Sequence, residues 1–209
     1  MEAAAPARAS RPSADPTRER ILTAALDLFS ERSFVGATTR EIAARAGVTQ
    51  PLLNYHFQSK DALWRAAVDT LFGDLTDALT ARADGLRGVD ERTATRLIVR
   101  EFIFFSAHNP QLHRIIMQEC KVDGPRMDWL VERHIRPLYD STVERFAHLI
   151  ERGELPAIAA THLYYIVTGA GPTMFVLAPE CRRLSGIDPD DPTVIEAHAD
   201  AVCTLLFGR

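Results

Sequence analysis

Apolar residues recur along most of this chain at steps of three and four, and no stretch of useful length alternates apolar with polar. The spacing predicts an all-α protein. Its first stripe is Ile21, Leu22, Ala25, Leu28 and Phe29, on a helix that Asp15 or Thr17 can cap with Pro16 in the first turn, and that ends near Ser33 to Gly36. A second helix starts at Thr38, which forms a capping box with Glu41; it turns Ile42, Ala43 and Ala46 inward and stops at Gly47. Thr49 caps a third helix. There Leu53 and Phe57 face inward, Pro51 and Tyr55 point the opposite way, and Leu52 and Asn54 lie at the flanks. Ser59 caps a fourth helix whose stripe of Leu63, Trp64, Ala67, Leu71, Leu75 and Leu79 extends beyond one small domain, over roughly 36 Å.

Further on, the same period predicts helices near 90–107, 109–121, 125–152, 157–177 and 192–207, the fourth of these broken at Gly169-Ala170-Gly171-Pro172. Asp191 and Pro192 mark the start of the last. Residues 1–16, rich in Ala, Pro, Arg and Ser, read as a solvated tail; an arm built on Arg8 and Arg11 is the lesser alternative, because the segment sums to zero charge. The chain therefore divides into a tail over 1–16, a small helical domain over 17–77 and a larger helical domain over 78–209.

The second and third helices are too short to be stable alone and must be held by the first and fourth through Ile42, Ala46, Val48, Leu53 and Phe57. Two such helices on a tight glycine turn are a helix-turn-helix. The major groove of B-DNA admits one helix, and Gln50, Asn54, Tyr55 and His56 carry suitable chemistry for base edges. Charge agrees with this placement. The whole chain carries a formal charge of -4, yet residues 1–65 hold 9 Lys and Arg against 7 Asp and Glu, so a polyanion would choose the first third.

These residues resemble the tetracycline-repressor (TetR) family of bacterial transcriptional regulators. The resemblance runs from about Thr17 to Trp64, through ILTAALDLF, GATTREIAARAGV, YHF and SKDAL; the later residues match only in being helical. It implies that Thr38, Thr39 and Arg40 lie near phosphates, that Thr49, Gln50, Pro51, Leu52, Asn54, Tyr55 and His56 form the recognition surface, and that Lys60 clamps the backbone. Physical chemistry supports these roles: Asn and Gln can bond adenine through two contacts, Pro51 and Leu52 can meet a thymine methyl, and Lys supplies a point charge. The chain departs from the family in having Gln50 where Lys is common, Pro51 where a small residue is common, Asn54 where Tyr is common, and Ser33 where glycine is frequent. A relative's operator therefore does not carry over.

The resemblance further implies a homodimer on a palindromic operator, paired through helices at about 157–177 and 192–207, and a repressor released by a small apolar or aromatic effector. Half-sites one helical turn apart, or a multiple, match such twofold symmetry. Phe102, Phe105, Met117, Trp129, Tyr139, Tyr164, Tyr165 and Met174 are the candidate lining of an effector pocket, with ordinary core packing as the alternative for each. The long fourth helix would be the lever that couples effector to DNA.

Other classes fit less well. Leu163 to Thr173 contains Gly-x-Gly but lacks a third glycine and any βαβ context. No nucleophile elbow or HExxH is present, and His108 and His113, five apart, point in different directions on a helix, so no enzyme, metal or cofactor is expected. A protein using the helix-turn-helix only as a scaffold for interactions is the remaining rival. Cys120, Cys181 and Cys203 form no recognisable pattern and read as buried small residues. No membrane-length apolar run and no secretion signal are visible, so a cytoplasmic protein is expected.

Overall fold

In the computed structural model, residues 15–208 are described, and every regular element among them is helical. The proposed tail and the Arg8 and Arg11 arm lie outside the described residues, apart from Asp15 and Pro16. Two compact units divide after Val68, inside a long helix.

The first unit contains α1 (Pro16–Gly36), α2 (Thr39–Arg45), α3 (Gln50–His56) and the start of α4 (Lys60–Asp84). Each start has its own local cause. Asp15 accepts from the Thr17 amide at 2.9 Å, Thr38 and Glu41 form both halves of the capping box, Thr49 accepts from Leu52, and Ser59 accepts from Ala62 at 3.0 Å. Gly47, at φ 65°, makes the turn between α2 and α3 in a region that side chains disfavour. Ile21, Leu28, Phe29, Ile42, Leu53, Leu63 and Trp64 fill the core between these helices. Phe34 stacks on Phe29 and meets the edge of Trp64. On the surface Arg45 forks onto Glu31 with bonds of 2.7 and 3.0 Å, tying α2 to α1.

Ser33 interrupts α1 with φ 62° and ψ 172°, and among the described residues it alone has a positive φ without being glycine. The chain thus holds a serine where its backbone asks for glycine.

The second unit contains the rest of α4, then α5 (Glu91–His108), α6 (Pro110–Glu119), α7 (Pro125–Leu130), a π-helical turn (Val131–Ile135), α8 (Arg136–Glu151), α9 (Ala160–Val176), α10 (Ala178–Ser185) and α11 (Pro192–Phe207). Its core is built where α5, α8, α9 and α11 meet, around Ile103, Phe146, Leu149, Leu163, Phe175, Ala199 and Val202. Four sequence expectations change. The helix expected over 125–152 follows one path but is broken by the π turn, a feature the apolar period cannot register. The break expected at Gly169–Pro172 does not occur: α9 runs through Pro172, and His198 of α11 places Nε2 3.2 and 3.1 Å from the Ala170 and Gly171 carbonyls. α10 was not anticipated, because it is only eight residues long and low in apolar content. Of the cysteines only Cys203 is buried.

Candidate nucleic-acid interface

α3 has one sealed side and one open side. Leu53 is 1% exposed and Phe57 is buried with it, while Tyr55 is 82% exposed and Gln50, Pro51, Leu52 and Asn54 are also exposed. The sealed side is anchored by the apolar core and by Arg18, whose guanidinium lies 5.3 Å from the centre of the Phe57 ring. An exposed tyrosine flanked by amides has nothing to do for the packing of its own unit.

The other expected DNA residues occupy three settings. Thr38 and Arg40 are exposed and Thr39 is half-buried at the start of α2. The Thr38 hydroxyl is engaged, donating to Glu41 at 2.7 Å, and this bond, ahead of the Arg32 charge, holds the Glu41 carboxyl below its usual range. Lys60 is half-buried; its ammonium sits 4.6 Å from the centre of the Phe34 ring and 3.4 Å from the Val35 carbonyl, at the turn that leads into α2. His56 does not share the open face of Tyr55. Its ring turns toward the start of α1, with Nε2 3.6 Å from Asp15 Oδ2.

The candidate effector residues do not converge on one place. Tyr139, Tyr164 and Tyr165 form one cluster, with ring centres 4.8 and 5.4 Å apart and the Tyr139 hydroxyl 2.9 Å from Thr161. Burial, then the neighbouring tyrosines, pushes the Tyr164 phenol up to about 12. Trp129 stands apart, edge-on to His134, which stacks on Phe72 beside Asp69. Phe102 is packed against the core and edge-on to His113. Phe105 and Met174 are half-buried, while Met117 and Tyr165 are 48% and 65% exposed. A shallow recess between α8 and α9, lined by Ala147, Ile150, Glu151 and residues 157–160, contains none of them. Sequence reasoning passed over Ser106 and His113 as a pair. They lie on different helices and seven residues apart, so no helical period links them; only burial of both does. Among the described residues no three His, Cys, Asp or Glu side chains are grouped to hold a metal, and no helix is long and apolar enough to cross a membrane.

A short helix with a sealed seam and a free polar and aromatic side, carried on a capped turn, defines a helix-turn-helix protein of the DNA-binding class. Residues 21–67 match the bacterial regulatory proteins of the tetR family. The chain carries that family's DNA-binding domain over these residues. It is similar to the HTH-type transcriptional regulator RutR of Escherichia coli (strain K12), 27% identical over 194 residues that cover 91% of this chain and 88% of that one. The HTH-type transcriptional activator FasR of Mycolicibacterium smegmatis is 34% identical over 124 residues, 57% of this chain and 54% of its own. Among solved structures, AibR in complex with isovaleryl coenzyme A and operator DNA superposes with a TM-score of 0.74 at 19% identity, covering 92% of this chain and 98% of that one; at that identity the likeness establishes the fold. The chain is accordingly a transcriptional regulator and not an enzyme.

Proposed function

We propose that the protein is a cytoplasmic, ligand-responsive repressor that binds a palindromic operator as a homodimer. The observation that carries this reading is the open face of α3. Gln50, Asn54 and Tyr55 meet base edges, Pro51 and Leu52 meet apolar base surface, and Thr38, Thr39, Thr49, Arg40 and Lys60 hold phosphates around them. His56 lies beside this face, with its Nε2 3.6 Å from Asp15 Oδ2.

Twofold pairing is supported by apolar surface left uncovered on the last helices. Tyr165 and Ile166 on α9, Leu177 at the junction of α9 and α10, Leu184 on α10 and Leu205 on α11 are exposed, more than a stable monomer needs to leave open. Response to a small effector is supported by likeness to AibR, a protein solved with isovaleryl coenzyme A and operator DNA. In this reading the effector favours one of two arrangements of the second unit, and α4, which crosses from that unit into the headpiece, transmits the difference. FasR is named an activator; repression is preferred because a dimer seated on a promoter excludes polymerase without further contacts.

Selection of bound duplexes from a random pool tests the proposal. A palindromic consensus is the expected outcome, with affinity that falls steeply as salt rises because phosphate contacts release counterions. Absence of any enriched sequence overturns the reading, and an enriched single half-site without symmetry removes the dimer from it.

A further inference from the structure

Between residues 31 and 65 the headpiece has three acidic side chains, Glu31, Glu41 and Asp61, and each is held by an arginine. Arg45 forks onto Glu31 at 2.7 and 3.0 Å, Nε of Arg65 donates to Asp61 at 2.7 Å, and Nη1 of Arg32 donates to Oε1 of Glu41. The remaining Lys and Arg of this stretch are Arg40 and Lys60, the two cations that the reading above sets against phosphates. A surface that is to meet a polyanion thus has its own negative charges covered.

Glu41 is the acid for which this cover matters most. It follows Arg40 in the first turn of α2, and its two oxygens are divided: Oε2 accepts from the Thr38 hydroxyl at 2.7 Å and from the Thr38 amide at 3.2 Å, whereas Oε1 takes Arg32. The Thr38 hydroxyl, ahead of the Arg32 charge, holds the carboxyl below its usual range, so it is ionised at neutral pH. A phosphate brought to Thr38 meets that charge within the distance of about 8 Å over which salt screens such forces. The fold asks for neither the charge nor its partner. Glutamine serves at this position of a capping box as glutamate does, and an exposed ion pair contributes little to stability; the side chains of Arg32 and Glu41 are 51% and 41% exposed. What the pair changes is the field at the corner where α1 passes into α2.

We infer that Arg32 is a positioning residue of the DNA interface: it holds the Glu41 carboxylate and masks it from the operator backbone, and it acts through Glu41 and not through a phosphate bond of its own. This inference rests on the operator-binding reading above. Because the masked charge faces the sugar-phosphate backbone, its effect is the same on every sequence and fades as salt rises. Arg32 carries no weight in the choice of bases, which stays with the open face of α3.

The test is a double-mutant cycle in the full-length chain: Arg32→Ala, Glu41→Gln and the two together. Binding is measured to a duplex selected from the random pool and to an unrelated duplex, over a range of salt, with the melting midpoint of each variant alongside. Arg32→Ala should weaken both duplexes alike, by about threefold at low salt, and the loss should shrink as salt rises. Glu41→Gln should bind at least as tightly as the unaltered chain, and in its presence Arg32→Ala should cost nothing. A loss from Arg32→Ala that persists undiminished beside Glu41→Gln makes Arg32 a phosphate contact in its own right and overturns the inference. So does a loss confined to the selected duplex, a loss that tracks a lowered melting midpoint and ignores salt, or weaker binding by Glu41→Gln alone. Failure of the inference separates from failure of the reading beneath it. An unaltered chain that binds no duplex removes both, whereas one that binds while the cycle shows no coupling removes the role of Arg32 alone.

Discussion

The two units handle polar atoms in opposite ways. In the first, the defining hydrogen bonds are local: Asp15 to Thr17, Thr38 to Glu41, Thr49 to Leu52, Ser59 to Ala62. Its functional side chains then emerge on the open side of a helix only seven residues long. In the second, the telling polar contacts join distant parts of the chain. Arg92 reaches the carbonyls of Glu154 and Phe207, His198 those of Ala170 and Gly171, and Ser106 and His113 meet across two helices. A DNA reader must show its chemistry to solvent, whereas a helical core keeps its polar contacts inside. That difference sets what each unit can lose.

The largest effect should come from contrasting the two sides of α3. Leu53→Ala empties a fully packed position and should destabilise the headpiece by about 2–5 kcal/mol in urea denaturation, with operator binding lost as a consequence. Tyr55→Ala, two residues on, should leave stability within about 0.5 kcal/mol and still weaken operator binding severalfold. If Tyr55→Ala instead unfolds the headpiece, the open side is not open.

Acid should act chiefly on the second unit. The folded chain holds His113 near 4, below the ordinary histidine value of 6.5. A group depressed in this way contributes stability that is present above about 6.5 and is lost as pH falls toward 4, because the unfolded chain takes up the proton first. The contribution is about 3 kcal/mol, from the width of that window. Thermal denaturation from pH 7 to pH 4.5 should show it, and His113→Leu should flatten the curve. A variant as acid-sensitive as the unaltered chain would move the effect to other groups.

How much of this was legible beforehand follows from the same contrast. The caps at Thr38, Thr49 and Ser59, the turn at Gly47 and the outward Tyr55 could all be read because each depends on neighbours within four residues. The setting of His56 could not be read, since its neighbour Asp15 lies far along the chain and a motif position does not reveal where a ring turns. The passage of α9 through Pro172 was hidden for a related reason: a proline weakens a helix locally, but the surrounding helices and His198 hold it together. The aromatic residues of the second unit carry no label that separates core from pocket, and they scatter into several clusters once folded.

Within the interface, the finer division of labour is between reading and holding. Asn54→Ala should relax preference at one base pair in each half-site by about 1–3 kcal/mol, leaving other positions unchanged. Lys60→Ala should weaken all sequences alike and lower the salt slope by about one per headpiece. Because Lys60 also spans the Phe34 ring and the Val35 carbonyl, its loss should reduce headpiece stability by about 0.5–1 kcal/mol as well. Competition binding against single-base operator variants separates the two; identical, sequence-blind losses from both would erase the distinction.

The smallest effect concerns a residue that touches neither DNA nor effector in this reading. Ser33 holds φ 62° and ψ 172°, a region that is nearly exclusive to glycine, between α1 and the turn that presents α2. Among the described residues its side chain makes no capping bond: the hydrogen bond at this corner is made by its carbonyl, which accepts from the Ala37 amide at 3.2 Å. Ser33→Gly removes the steric conflict and loses part of the gain to the greater freedom of glycine in the unfolded chain. The net should be a stabilisation of about 1 kcal/mol, or 2–4 °C in midpoint for a chain of this size. Operator affinity at low temperature should not change, since the backbone already adopts the glycine-like path. A destabilised Ser33→Gly would mean that the serine side chain holds this corner through contacts of its own, and that the departure from the family pattern is structural compensation and not tolerated strain.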